Sequence, residues 1–277
     1  MGNTQCPVNK IGSEWGDVTR SVNEFKNVND FSAKKVLVLL AHPDDEVYIP
    51  GILKNLIDRN HEVHAMFLTS GKLGSDLTSA TSTPEELGTL RESEGTTAMG
   101  YLGVTDVYFL RQDDDSLNEL NVLSAIDTSL SGTDIDVILT FNHTGLYGHD
   151  EHIGIHRFAT QYFRQTDSVQ NLYYFDVPYS DIISSVGESV GGDITYVGGQ
   201  SYGVSDDTID FTYKMSASDL TAMENLVDTY VSQFDQSKRD IIKGHVNLRP
   251  YEYLINGSKK SGVKISNDDM LNILFNV

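Results

Sequence analysis

Two short stretches gather metal-ligating and proton-transferring side chains. The first is His42-Pro43-Asp44-Asp45-Glu46; the second is Tyr147-Gly148-His149-Asp150-Glu151-His152, with His156 one turn further on. His42 and Asp45 are three residues apart, so a tight turn lets both reach one ion, while Asp44 points elsewhere and stays available for proton transfer. His149 and His152 repeat that spacing. Three imidazole or carboxylate ligands with a fourth position open are the donor set of a catalytic zinc, whereas structural zinc takes four protein ligands. The single cysteine, Cys6, allows neither a thiolate cluster nor an intrachain disulfide. Histidine, aspartate and water suit several divalent ions, so the donors alone do not single out zinc. His152 and His156 stand at i, i+4, which also permits chelation on one helix face. The commoner reading of such a second histidine is an ordinary helix residue, and the isolated His61, His64 and His245 read as structural. The plain alternative for the first stretch is an acidic turn that caps the following helix electrostatically.

These residues need elements that bring them together. Lys35–Ala41 is a continuous aliphatic run, predicted as a fully buried strand that ends at His42. Pro50 suits the first turn of a helix, and Pro43 stiffens the connection between the two. Further strands are predicted at Glu62–Thr69, Asp106–Leu110, Asp136–Phe141 and Asn171–Val177. The helices between them run over Pro84–Leu102, around Leu120–Leu130, and over Glu151–Arg164. Ser70–Thr83, rich in Gly, Ser and Thr, reads as a mobile loop and a plausible lid. Beyond it the pattern gives a strand near Thr208–Lys214, one helix across Ser218–Lys243 and a short strand at Tyr251–Ile255. The alternation predicts an α/β, mostly parallel sheet with helices on both faces. Polar clusters follow each of the first four strands, and in such sheets ligands bind beyond the carboxyl ends of the strands.

With 277 residues and 39% hydrophobic content, the chain has enough material for a sizeable core. A net charge of −20 argues against a nucleic-acid or anionic-membrane partner. No apolar run reaches the roughly 20 residues of a membrane span. The start, MGNTQCPVNKIGSEWGD, lacks the apolar segment of a secretory signal, so a cytoplasmic location is expected. No Gly-rich turn follows the first strand, which removes the pyrophosphate cradle of a nucleotide-binding protein.

The AHPDDE segment after a first strand, the following TSG, the Arg-x-x-Glu of Arg91 to Glu94 and the late YGHxxH together resemble the LmbE/PIG-L family of zinc-dependent N-acetylglucosaminyl deacetylases. The resemblance spans about residues 34–166, with TyrValSerGln at 230–233 similar to a late helix of that family. It implies a Rossmann-like deacetylase core over residues 34–180, preceded by an N-terminal extension (1–33). A smaller C-terminal α/β extension (181–277) then belongs to the same domain. It implies zinc, or another divalent ion, held by His42, Asp45 and His152. Asp44 is then the general base, His149 the oxyanion stabiliser or acid, and Tyr147 a group polarising the amide carbonyl. Arg91 and Asp114 match positions that hold sugar hydroxyls, and Glu46 and Glu151 support the site from behind. The implied reaction removes acetate from a GlcNAc-type sugar or glycoconjugate. The alternatives are an amidase on a thiol-conjugate amide and a non-catalytic sugar-binding relative. The implied partner is a small-molecule or glycan substrate carrying an N-acetyl group; a homo-oligomer is left open. One departure stands out: the family's His-Pro-Asp-His is here His149-Asp150-Glu151-His152, which loosens the turn and moves the carboxylate expected to orient His149 outward by one methylene.

Overall fold

The aliphatic run behind His42 is buried on both sides, with every residue from Val36 to Ala41 at most 1% exposed. Such a strand needs neighbours on both edges and layers on both faces. The computed structural model, which describes residues 33–114, 119–178, 181 and 203–258, supplies them. Its strands are β1 (Lys35–Leu40), β2 (Glu62–Thr69), β3 (Asp106–Gln112), β4 (Val137–Phe141), β5 (Asn171–Phe175), β6 (Phe211–Lys214) and β7 (Tyr251–Asn256). They form one sheet in the order β3-β2-β1-β4-β5-β7-β6. The first five strands run parallel, and β7 lies antiparallel to both β5 and β6.

The helices are α1 (Pro50–Asp58), α2 (Pro84–Leu102), α3 (Glu119–Ser129), α4 (Asp150–Gln165), α5 (Ala217–Thr229) and α6 (Gln236–Leu248). From β1 the chain steps outward through β2 to β3, then returns past β1 to β4 and β5. Right-handed crossovers therefore place α1 and α2 on one face and α3 and α4 on the other. The contacts agree: α5 packs on α1 and α2, and α3 packs on α4. The reversal falls between β1 and β4, which opens a crevice at their carboxyl ends.

Helix boundaries follow local chemistry where that chemistry is strong. Thr83 and Glu86 form a reciprocal capping box ahead of Pro84, and α2 stops at Gly103, whose φ of +86° is left-handed. In α1, Pro50 occupies the first turn, and the buried Glu252 of β7 accepts from the amides of Gly51 and Ile52, both at 2.7 Å.

Two expectations change. The single helix over Ser218–Lys243 is two helices, separated at Tyr230–Asp235 with no Gly or Pro to mark the break. Asp235 caps the second by accepting from the Lys238 amide at 2.7 Å. Inside the break, buried Ser232 is held by Glu94 of α2, which accepts from its amide at 2.9 Å and from its hydroxyl. The Ser70–Thr83 loop is pinned rather than left free. Gly71 O accepts from Arg91, the Leu73 amide donates to Asp114 at 2.7 Å, and the Leu77 amide donates to Ser232 O at 3.0 Å. β6 and β7, in the C-terminal part expected to belong to the same domain, complete the main sheet. The N-terminal extension and Cys6 lie outside the described residues, Ala33 apart. Among the described residues, no helix is long and apolar enough to cross a membrane.

Candidate active site

The turn after β1 folds back on itself. Asp45 Oδ2 accepts from the amides of Ala41 at 3.0 Å and His42 at 2.7 Å, which leaves Oδ1 facing His152 Nε2 at 3.1 Å. His42 Nδ1 lies 3.6 Å from Asp45 Oδ2. Asp44 points away from this pair. Its φ is +132°, a region that side-chain-bearing residues rarely adopt, and strain of this kind costs on the order of 1–3 kcal/mol.

That conformation is clamped from two sides. Arg91, 5% exposed, donates through Nη2 to Pro43 O at 3.1 Å and to Asp44 Oδ2 at 3.2 Å, and through Nη1 to Gly71 O at 2.7 Å. From the other side Glu46, fully buried, accepts from the Asp44 amide at 3.3 Å, and Tyr230 donates its hydroxyl to the second Glu46 oxygen. Burial pushes Glu46 up to about 8, with the Tyr230 hydrogen bond opposing. Burial likewise raises Asp44 to about 6, against the nearby Arg91 charge.

The turn after β4 is built differently. Gly145, Leu146 and Gly148 all have positive φ, at 61°, 64° and 84°, around one kinked helical turn over Gly145–Gly148. Buried Asp176 anchors its start by accepting from Asn142 Nδ2 at 3.0 Å and from the Thr144 hydroxyl. Gly145 O sits 3.2 Å from His152 Nδ1, which places the imidazole proton there and turns the Nε2 lone pair toward Asp45. His149 caps α4 with its Nδ1 accepting from the Glu151 amide at 3.3 Å, so its own proton resides on Nε2. Burial, then His152 and His42, lower His149 below the usual imidazole value. The Tyr147 ring stands edge-on to both His149 and His152, with centroids 5.9 and 5.3 Å away.

The donors of His42, Asp45 and His152 come within 4.8 Å of one another. His152 is fully buried, and its Nε2 has no hydrogen-bond partner among the described residues even though Asp45 Oδ1 is 3.1 Å away. A buried lone pair aimed beside a carboxylate, without bonding it, fits a cation between them. A second grouping, His42, His149 and Glu151, satisfies the same distance.

The other expected residues fall as follows. Asp114 is 8% exposed; one oxygen binds the Leu73 amide and the other, Oδ1, has no hydrogen-bond partner among the described residues. Arg91 faces Asp44 and two backbone carbonyls. Glu151 is buried, but its carboxylate bonds His42 Nε2, while His149 is met by its backbone amide instead. His156 lies outside both groupings, with Nδ1 3.1 Å from Phe141 O and its ring against Tyr174. His61 Nδ1 accepts from the Lys34 amide, and His64 pairs with Glu62. Tyr230 is the residue missed; it begins the TyrValSerGln stretch, but nothing in the sequence points its hydroxyl at Glu46.

Comparison with known proteins converges on this region. Residues 37–163 match the family model described as PIG-L: GlcNAc-PI de-N-acetylase. The 1D-myo-inositol 2-acetamido-2-deoxy-alpha-D-glucopyranoside deacetylase of Mycolicibacterium vanbaalenii is 27% identical over 224 residues, covering 69% of this chain and 76% of that protein. N,N'-diacetylchitobiose deacetylase from Pyrococcus horikoshii shares the fold with a TM-score of 0.58 at 20% identity, over 86% of this chain and 89% of its own. The 4-carboxy-2-hydroxymuconate hydratase of Pseudomonas putida also reaches 0.58, at 13% identity over 81% and 96% of the two chains, so the fold alone does not select a reaction. The matched stretch, residues 37–163, includes both motif-bearing turns, so the similarity to PIG-L proteins falls on the site itself.

Proposed function

We propose that the protein is a metal-dependent N-deacetylase that hydrolyses the acetamido group of a GlcNAc-type sugar or glycoconjugate. The observation that carries this reading is the buried, unpartnered Nε2 of His152 beside Asp45 and His42, with Asp44 on the same turn left outside the ligand set. Amide hydrolysis needs an activated water and a proton for the departing nitrogen. When bound, zinc or a similar divalent ion supplies a Lewis acid that acidifies water and polarises the carbonyl.

The chain's own residues do the rest. Asp44, aimed by Arg91 and held by Glu46, takes the proton from the attacking water. As the C–N bond breaks, the same carboxyl lies on the turn where it can return that proton to the amine. His149, neutral with its proton on Nε2, and the Tyr147 hydroxyl are the donors for the developing oxyanion, each such donor being worth about 3–4 kcal/mol. Asp114 Oδ1, buried and unpartnered, suits a sugar hydroxyl, since a buried acceptor left without a donor is costly. Arg91 serves the substrate through Asp44 in this reading.

Acetate release from GlcNAc, diacetylchitobiose, GlcNAc-inositol and a thiol-conjugate amide, with and without chelator, tests the proposal. Release from the sugars is expected, lost on chelation and restored by zinc. Release that ignores chelator, or none from any N-acetyl substrate by metal-loaded protein, overturns it.

A further inference from the structure

The His42 ring is held between two carboxylates, one at each nitrogen. Nδ1 faces Asp45 at 3.6 Å, and Nε2 bonds Glu151, which is 6% exposed in the first turn of α4. The Asp45 edge carries the ligand geometry, because the other Asp45 oxygen faces the unpartnered Nε2 of His152. A histidine that ligates through one nitrogen characteristically donates the hydrogen on the other to a carboxylate, which fixes its tautomer and makes it a stronger donor.

We infer that Glu151 is the positioning residue of His42, its carboxylate accepting from Nε2–H so that Nδ1 presents its lone pair to the metal. The inference rests on the metal-centre reading above. It also accounts for the departure in the second motif. The expected duty of an acid at this place, orienting His149, passes to the Glu151 backbone, whose amide donates to His149 Nδ1 at 3.3 Å. The side chain is thereby released to cross to the other turn, 109 positions away in sequence, and the extra methylene of glutamate over aspartate provides reach. One residue thus sets the proton on two rings, by its amide for His149 and by its carboxylate for His42.

The test is metal affinity, read by competition with a chromophoric chelator in the full chain, for wild type, Glu151→Ala, Glu151→Asp and Glu151→Gln. All three variants keep the amide to His149. Zinc affinity is expected to fall roughly 10–100-fold in Glu151→Ala, the usual cost of losing such a carboxylate. Glu151→Asp should resemble Glu151→Ala because it cannot span the gap, and Glu151→Gln should fall between it and wild type, since its amide oxygen still accepts from Nε2–H. The absorption of the cobalt-loaded protein should shift in step, while the melting temperature of the metal-free forms stays close to wild type. Wild-type-like affinity in Glu151→Ala and Glu151→Asp overturns the inference and leaves the metal centre standing. So does a second equivalent of zinc on wild type that Glu151→Ala loses, since Glu151 is then itself a ligand with His149. Wild type that binds no divalent ion overturns the metal centre and the inference with it.

Discussion

The two turns that meet in the crevice follow central strands, yet they are held in opposite ways. The His42–Glu46 turn is closed locally: Asp45 ties its own backbone, and Asp44 is clamped by Arg91 on one side and Glu46 on the other. The Gly145–His152 turn depends on three positive-φ residues and on a distant anchor, Asp176. One is a short motif that carries its geometry with it. The other acquires its geometry from the fold.

The largest effect should come from the residue joining the two turns. His152→Ala removes the proposed ligand that faces Asp45, and metal content by elemental analysis should fall to background, with activity reduced by more than the about 10–100-fold typical of a residue behind a ligand. Retained stoichiometric metal would show that the first turn binds the ion without the second. Next is Asp44→Asn, which leaves the ligand set intact: metal should stay bound while acetate release slows by about 10²–10⁴-fold, the usual worth of a general base. A wild-type rate in that variant would remove the base assignment.

A smaller effect concerns the start of α1, which Glu252 of β7 braces. Burial pushes Glu252 up to about 8 despite its two amide donors at the start of α1. Folding therefore keeps a proton that the unfolded chain releases above about 4.5, so the stability this group contributes is full below that value and is lost as the pH rises through about 8. Glu252→Gln, which mimics the protonated acid, should flatten the fall in melting temperature between pH 5 and 8; an unchanged slope would place the titration elsewhere. The smallest effect is expected from His156→Gln. His156 is one turn from His152 on α4 but bonds Phe141 O, and metal affinity should stay within about twofold of wild type by chelator competition. A larger loss would extend the centre along the helix.

The contrast between the turns also explains what was readable in advance. The buried strand, the stop at His42 and the Pro50 helix start are local signals, whereas spacing marked the two donor-rich turns and the choice of His42, Asp45 and His152 among them came from the family resemblance. Glu151 was legible as a departure but not as a partner of His42, because that contact depends on where two turns stand in space. The break at Tyr230–Asp235 was invisible for the same reason: its hydrogen bonds go to Glu94 and Glu46 on other elements, and the apolar period runs on past it. The antiparallel entry of β7 carries no sequence mark, since a strand's direction in a sheet is set by the route of the chain and not by its composition.

The positive φ of Asp44 has a consequence for how this protein can change. Glycine is the residue that adopts this backbone without penalty, so selection for thermal stability alone would favour Gly at position 44 and with it a well-folded, inert protein. In the mechanism proposed above, the carboxylate that takes the proton persists there against the preference of its own backbone, and stability and turnover pull this single position in opposite directions.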